Sequence, residues 1–253
     1  LTTTTGTDMA VTLRFYEELN NFLPRHARKE TITVPYTEPR SVKDLIESRG
    51  VPHTEVDLIL ANGESVGFDY PVQDGDRIAV YPVFESLDIS QISKLNRAPL
   101  RQTRFIADVH LGKLVRHLRL LGFDCTYDRT WTDKQLARKS AQENRILLSR
   151  DRGLLKRSVV THGIYLHSDH PPEQVREVIR RLDLHDEIRP LARCLVCNGR
   201  LETVPKEDAR GHVPDRTFQY IHRYLRCKEC GKFYWKGTHW RRLKEIIRHA
   251  ESA

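Results

Sequence analysis

From Val11 the apolar positions alternate with polar ones through VTLRFY and again through ETITV, a period of two that predicts strands. SVKDLIESR carries its apolar positions at helical spacing, with Ser41 placed to cap the start and Gly50 to end it. DLILANG and RIAVYPV read as two further strands, Asn62-Gly63 as a tight turn after the first, and Asp74-Gly75-Asp76 as a second turn before the last. This order predicts a small α+β roll over residues 9–85, with structure starting near Met9. Residues 86–103 hold no sustained period, contain Pro99 and read as a linker.

From Arg104 strands and helices alternate. FIAD leads to a helix with Leu111, Leu114, Val115, Leu118 and Leu121 on one face, closed by Gly122. DCTYD is a short strand with Cys125 as a core residue, and Thr132-x-x-Gln135 is a capping box opening a helix whose stripe is Leu136, Ala137 and Ala141. RILLS and GIYLH are strands, and a helix from Pro172 to Leu182 presents Val175, Val178, Ile179 and Leu182. The alternation predicts a parallel sheet with right-handed crossovers over 104–187. The last segment, HWRRLKEIIRHA, has an apolar face of Trp240, Leu243, Ile246 and Ile247, expected to dock on the cysteine-bearing stretch before it.

No apolar run approaches the ~20 residues of a membrane helix, and the N-terminus does not read as a signal peptide. The expectation is a cytoplasmic chain without a membrane partner. The net charge of +8 hides an asymmetry: residues 1–89 hold 8 Lys+Arg against 15 Asp+Glu, a net of −7, and residues 90–253 hold 34 against 19, a net of +15. The basic part attracts a polyanion and the acidic part repels one, although a basic surface also serves solubility alone.

Four of the five cysteines form two C-x-x-C pairs, Cys194/Cys197 and Cys227/Cys230. Without a secretion signal this spacing favours tetrahedral thiolate zinc over disulfides, with redox dithiols as the competitor. The 29 residues between Cys197 and Cys227 are tolerable because loop closure costs grow slowly with length. The run Lys232, Phe233, Tyr234, Trp235, Lys236, His239, Trp240, Arg241 and Arg242 has the make-up of a base-stacking, phosphate-binding surface. Its aromatics also suit a small core, the role assigned to Phe233 and Trp240 and left open for Tyr234 and Trp235.

Asp108 ends the first central strand, Asp133 opens the second helix and Asp151 follows RILLS. In an open parallel sheet these positions face the carboxyl rim where ligands bind. Carboxylates suit Mg²⁺ or Mn²⁺, which activates water and stabilises charge on a phosphate. Each aspartate also has a structural explanation: a cap at Asp108, a helix-dipole partner at Asp133, a turn residue at Asp151. Arg150, Arg152, Lys156 and Arg157 crowd the turn at Asp151, and Arg116 lies on the polar side of the first central helix, so all five are candidate RNA contacts. His110 reads as a bystander.

Two resemblances extend this reading. QDGDRIAVYPVFESLDI resembles the end of the β-grasp, sulfur-carrier-like domains of the ubiquitin superfamily. Those carriers end in a free Gly-Gly, whereas this chain runs on through Val83, Phe84 and Glu85, which implies a binding or regulatory module. FIADVHLGKLVRHLRLLGFD, the D-x-x-L-A at Asp133 and ILLSRDRGLLKR together resemble the PIN-like ribonuclease domain of the Mut-seven C-terminal family over about Phe105 to Leu184. That resemblance implies that Asp108, Asp133 and Asp151 bind the catalytic Mg²⁺ or Mn²⁺, with Ser149 where Thr is more usual, that a fourth acid joins them, for which Asp128 after the second strand is the candidate and Asp124 the alternative, both also reading as solvated loop residues, and that a zinc ribbon follows. The expected protein is an α/β, PIN-like parallel-sheet domain at 104–187, preceded by an α+β β-grasp domain and followed by a zinc ribbon with a C-terminal helix at 188–253. Its expected activity is metal-dependent hydrolysis of RNA phosphodiesters, with tRNA and rRNA as candidate substrates. The β-grasp domain would bind a protein partner or cover the basic surface. The alternative is a non-catalytic RNA- or ribosome-binding adaptor.

Overall fold

The computed structural model describes residues 9–83, 89, 91–95, 102–237 and 240–251. Most of the expected linker, the leader before Met9 and His239 lie outside the described residues. The chain divides into two compact units, residues 1–100 with 151–165, and residues 101–150 with 166–253.

In the first unit, β1 (Met9–Phe15) and β2 (Thr31–Tyr36) form an antiparallel pair, and α1 (Val42–Ser48) follows. Next come β3 (Val56–Ala61), the short β4 (Glu64–Ser65) and β5 (Arg77–Pro82). The sheet order is β2-β1-β5-β3-β4, with β1 and β5 parallel in the centre. This is a β-grasp arrangement, and Leu13, Phe15, Leu45, Ile46, Ile59 and Val80 sit in its core. The local signals behave as expected: Ser41 Oγ accepts the Asp44 N–H at 3.1 Å, and Asn62 and Gly63 both take positive φ, at 53° and 93°. Asp76, buried in the second turn, accepts hydrogen bonds from Asn62, Tyr70 and the Gln73 backbone, which locks the turn to the sheet.

The second unit begins with β6 (Arg104–Ala107), α2 (Gly112–Leu120), β7 (Asp124–Thr126), α3 (Asp133–Gln142) and β8 (Ile146–Ser149). β7 and β8 flank β6, both parallel to it, as the alternation predicted. Phe105, Ile106, Leu147 and Leu148 are fully buried, the continuous apolar pattern of a sheet covered on both faces. The capping box forms with both halves present. Gly122 closes α2 at φ 100°, and a Cβ there would lie 2.2 Å from the Arg189 carbonyl oxygen, so the crossing of the two segments requires glycine.

The chain then enters the first unit with α4 (Arg152–Leu155) and β9 (Gly163–Tyr165), and leaves it before α5 (Pro171–Arg181). After α5 come β10 (Leu201–Val204), α6 (Asp215–Tyr220), β11 (Tyr224–Cys227), β12 (Phe233–Tyr234) and α7 (Trp240–Glu251). β10, β11 and β12 make an antiparallel ribbon. The stretch between the cysteine pairs is therefore folded, with its own core of Ala209, Val213 and Tyr224 against which Phe218, Ile221, Phe233 and Trp235 pack. The last helix departs from expectation: α7 packs against α5 and α2, burying Ile247 and Ala250, so its apolar face completes the α/β layer.

Candidate active site and metal centre

Asp108 is the first residue past β6 and is buried, at 7% exposure. Its side chain makes no capping bond to the turn that follows; instead Oδ2 accepts the Ser149 hydroxyl at 2.8 Å, and its own N–H donates to Leu148 O. The capping explanation thus falls for this residue. The carboxylate is held in place by a hydroxyl from the neighbouring strand end, so its burial is matched by a hydrogen bond. Gly112 and Tyr127 shape the turn after it. The Tyr127 hydroxyl donates to Val109 O at 2.6 Å, and a Cβ at Gly112 would lie 2.9 Å from that hydroxyl oxygen.

The other acids differ from Asp108. Asp133 is exposed at the first position of α3, with an acid in the first helical turn as the dipole favours. Asp151 is exposed in the first unit and accepts the Gly153 N–H at 2.7 Å, so it caps α4. Capping leaves a carboxylate with further lone-pair directions, because an ionised Asp has about four acceptor sites. Asp128 accepts the Thr130 N–H and hydroxyl at 2.8 and 2.7 Å; these bonds hold its carboxyl below the usual carboxylate range. Asp124 belongs to the scaffold. Burial alone would raise its carboxyl, but hydrogen bonds from Arg145 and Asn198 and the charges of Arg145 and Arg193 outweigh burial and lower it.

That cluster is what the sequence pattern did not reveal. Asn198, beside Cys197, donates to Asp124 and accepts the Cys125 N–H. Arg119, on α2, is buried at 5% exposure and donates to the carbonyls of Cys125 and Val196, at 2.9 and 2.7 Å. Both side chains pin the first cysteine knuckle to the edge of the parallel sheet. A buried guanidinium reads in sequence like any helix-surface arginine, and the partners lie more than seventy residues away.

Of the five arginines and lysines singled out, Arg116, Arg150 and Arg157 are exposed. Arg152 and Lys156 are engaged inside the first unit. The Arg152 guanidinium stands over the Phe22 and Tyr165 rings, at 5.1 and 5.3 Å from their centroids, and donates to Phe22 O. Lys156 donates to Glu47 O, and burial lowers its pKa. The same segment is held by His53 Nε2 on Val160 O at 2.9 Å and by the buried Glu55, which accepts the Tyr165 N–H. Residues 151–165 are therefore part of the hydrogen-bonded body of the β-grasp unit.

The four thiols of Cys194, Cys197, Cys227 and Cys230 lie within 4.8 Å of one another. Two of the sulfur separations are 3.7 and 3.4 Å, close to the about 3.8 Å edge of a zinc–thiolate tetrahedron. Asn198 and Gly231, each directly after its pair, take positive φ of 71° and 70° and turn the two knuckles alike. Burial opposes ionisation of Cys194, but hydrogen bonds from the Cys197 and Val196 backbone and from the Tyr234 hydroxyl bring it down to about 6. Cys197 is pushed up to about 12 by burial and the neighbouring thiols. One thiolate thus suppresses another, which a bound cation would reverse, so the donor set fits a metal ion such as zinc. Among the described residues this is the one group of three or more Cys, His, Asp or Glu gathered so tightly; Asp108, Asp128 and Asp133 are not.

A β-grasp unit, a parallel sheet with a buried carboxylate at a strand end, and a ribbon with four convergent thiols define a multidomain α/β protein with a four-cysteine cluster suited to a metal ion. Residues 103–247 match the family described as the Mut7-C RNAse domain, and residues 8–88 match the Mut7-C ubiquitin family. The chain belongs to the Mut7-C RNAse domain family. No curated protein and no solved structure matches it.

Proposed function

We propose that this protein is a metal-dependent ribonuclease that hydrolyses RNA phosphodiester bonds, with Asp108, Asp133 and Asp151 as ligands of a catalytic Mg²⁺ or Mn²⁺ and Asp128 as the fourth acid. The observation that carries the reading is the buried Asp108 carboxylate, hydrogen-bonded by Ser149 and doing no capping work, in a chain of the RNAse-domain family. The donors fit the metal: carboxylate oxygens are hard ligands, and Mg²⁺ binds through one or two of them while keeping several waters. When bound, such an ion supplies an activated water and charge stabilisation at the phosphate. The chain's own contribution is positional. Ser149 fixes which way the Asp108 carboxylate faces, and exposed Arg116, Arg150 and Arg157 attract the RNA backbone. Arg152 and Lys156, although proposed as RNA contacts by their spacing, fit better as the anchors of the Asp151 turn.

The four thiols would hold zinc as a structural ion, with tRNA and rRNA as candidate substrates of a cytoplasmic enzyme. No helix among the described residues is long and apolar enough to cross a membrane. The β-grasp unit, which matches the Mut7-C ubiquitin family, would bind a protein partner. A second reading is an RNA- or ribosome-binding adaptor without turnover, favoured by the local hydrogen bonds that Asp128 and Asp151 already accept. Cleavage assays with Mn²⁺ separate the two: a nuclease loses turnover on Asp108→Asn, whereas an adaptor binds RNA and cleaves none.

A further inference from the structure

The stretch between the two cysteine pairs and the strand that follows them build a surface that the nuclease reading does not use. α6 ends on Tyr220, which is 72% exposed, the most open large apolar or aromatic side chain among the described residues. Beside it, between α6 and β12, lies a groove of about 920 Å³. Its lining includes Arg216, Lys232 and Lys236, all exposed, together with Phe233 and Trp235, and no carboxylate. Among the described residues none of the three cations is ion-paired; Lys236 stands over the Trp240 ring at 5.0 Å. Uncompensated like charges around a groove repel one another and favour an anionic occupant. The floor is rigid, because Trp235 packs edge-on to the fully buried Tyr224 at 6.3 Å and Phe233 is stacked on His212 at 5.2 Å.

We infer that this groove binds single-stranded RNA, with Tyr220 as a stacking platform for a base and Arg216, Lys232 and Lys236 as phosphate contacts. The open Tyr220 ring flanked by unpaired cations matches a polyanion whose own rings are accessible, and bases are accessible in single strands but covered in a duplex. The groove is also tied to the metal centre. Tyr234, which lines it, donates its hydroxyl to Cys194 Sγ at 3.1 Å and accepts the Leu195 N–H, so the four-thiol cluster fixes one wall. The inference rests on the proposed function only in taking RNA as the ligand; it assigns where a strand is held, apart from the aspartates.

Fluorescence anisotropy with a labelled twelve-nucleotide oligouridine and the full chain, in the Asp108→Asn background and without added divalent metal, tests binding apart from cleavage. Tyr220→Ala is expected to weaken binding about 10-fold or more, and Tyr220→Phe to bind like the parent, because stacking needs the ring and not the hydroxyl. Arg216→Gln and Lys236→Gln are each expected to reduce the slope of log K against log salt by about 0.7. Equal affinity of Tyr220→Ala and the parent, absence of RNA binding by the parent, or equal binding of an RNA duplex would each overturn the inference. Bound zinc, measured on each variant, separates loss of the groove from loss of the fold. Intact binding with no Mn²⁺-dependent cleavage by the wild-type chain would refute the nuclease reading and leave this one standing.

Discussion

At the end of β6 a single hydroxyl determines how a buried carboxylate is presented. Hydrogen bonds to charged groups contribute about 1.5–3 kcal/mol, so Ser149→Ala is expected to lower the urea midpoint and to reduce Mn²⁺-dependent cleavage. Ser149→Thr, which keeps the hydroxyl, is expected to retain both. A Ser149→Ala variant that unfolds and cleaves like the wild type would mean that the 2.8 Å bond to Asp108 positions nothing. The place of Asp108 was legible in sequence because a strand end is a local feature. The roles of Asp124 and Arg119 were not. Asp124 is a hub for Arg145, Arg193 and Asn198, and Arg119 is buried beneath the first knuckle, both through partners that no local pattern brings together.

Among the elements, those with local signals followed the sequence: the Ser41 cap, the Asn62-Gly63 turn, the capping box at Thr132 and the parallel strands around β6. Contacts between distant segments were not legible. Residues 151–165 read as the continuation of the nuclease segment, and β9 does take its place in the sheet after β8, but no local pattern shows that Arg152 reaches Phe22 across 130 positions or that Glu55 takes the Tyr165 N–H across 110. The stretch between the cysteine pairs read only as a tolerable insertion, although it folds into β10 and α6 around Tyr224. Arg152→Ala is expected to destabilise the fold by about 1–2 kcal/mol, through loss of its two ring contacts. It should also speed amide exchange across 151–165 while leaving the salt dependence of RNA binding unchanged. A reduced salt slope with unaltered exchange would return Arg152 to the RNA-binding set.

Over the whole molecule, the charge division between an acidic N-terminal part and a basic remainder invited the idea that the first masks the second. Within the β-grasp unit the acidic module meets the basic turn through aromatic rings and the backbone carbonyls of Phe22 and Glu47, while the Glu47 carboxylate pairs with His53. Those contacts are ring packing and backbone hydrogen bonds, with the Glu47 charge adding attraction for Lys156. The ribbon is expected to depend on its thiols for its structure. One zinc per chain is expected by elemental analysis, and stripping it should open residues 198–226 to limited proteolysis and lower RNA affinity, because a structural metal supplies folding energy directly. An unchanged digestion pattern after metal removal would show that the ribbon stands without an ion.

The central claim is that Asp108 serves metal-dependent hydrolysis of RNA. Cleavage of an end-labelled single-stranded RNA by the purified chain with Mn²⁺, beside an Asp108→Asn variant of matched folding, tests it most directly. The wild type is predicted to cleave, and the variant to fall by about 100-fold or more, since a bound ion contributes several kcal/mol to the transition state. Equal cleavage by the two proteins, or none by the wild type, would contradict the claim.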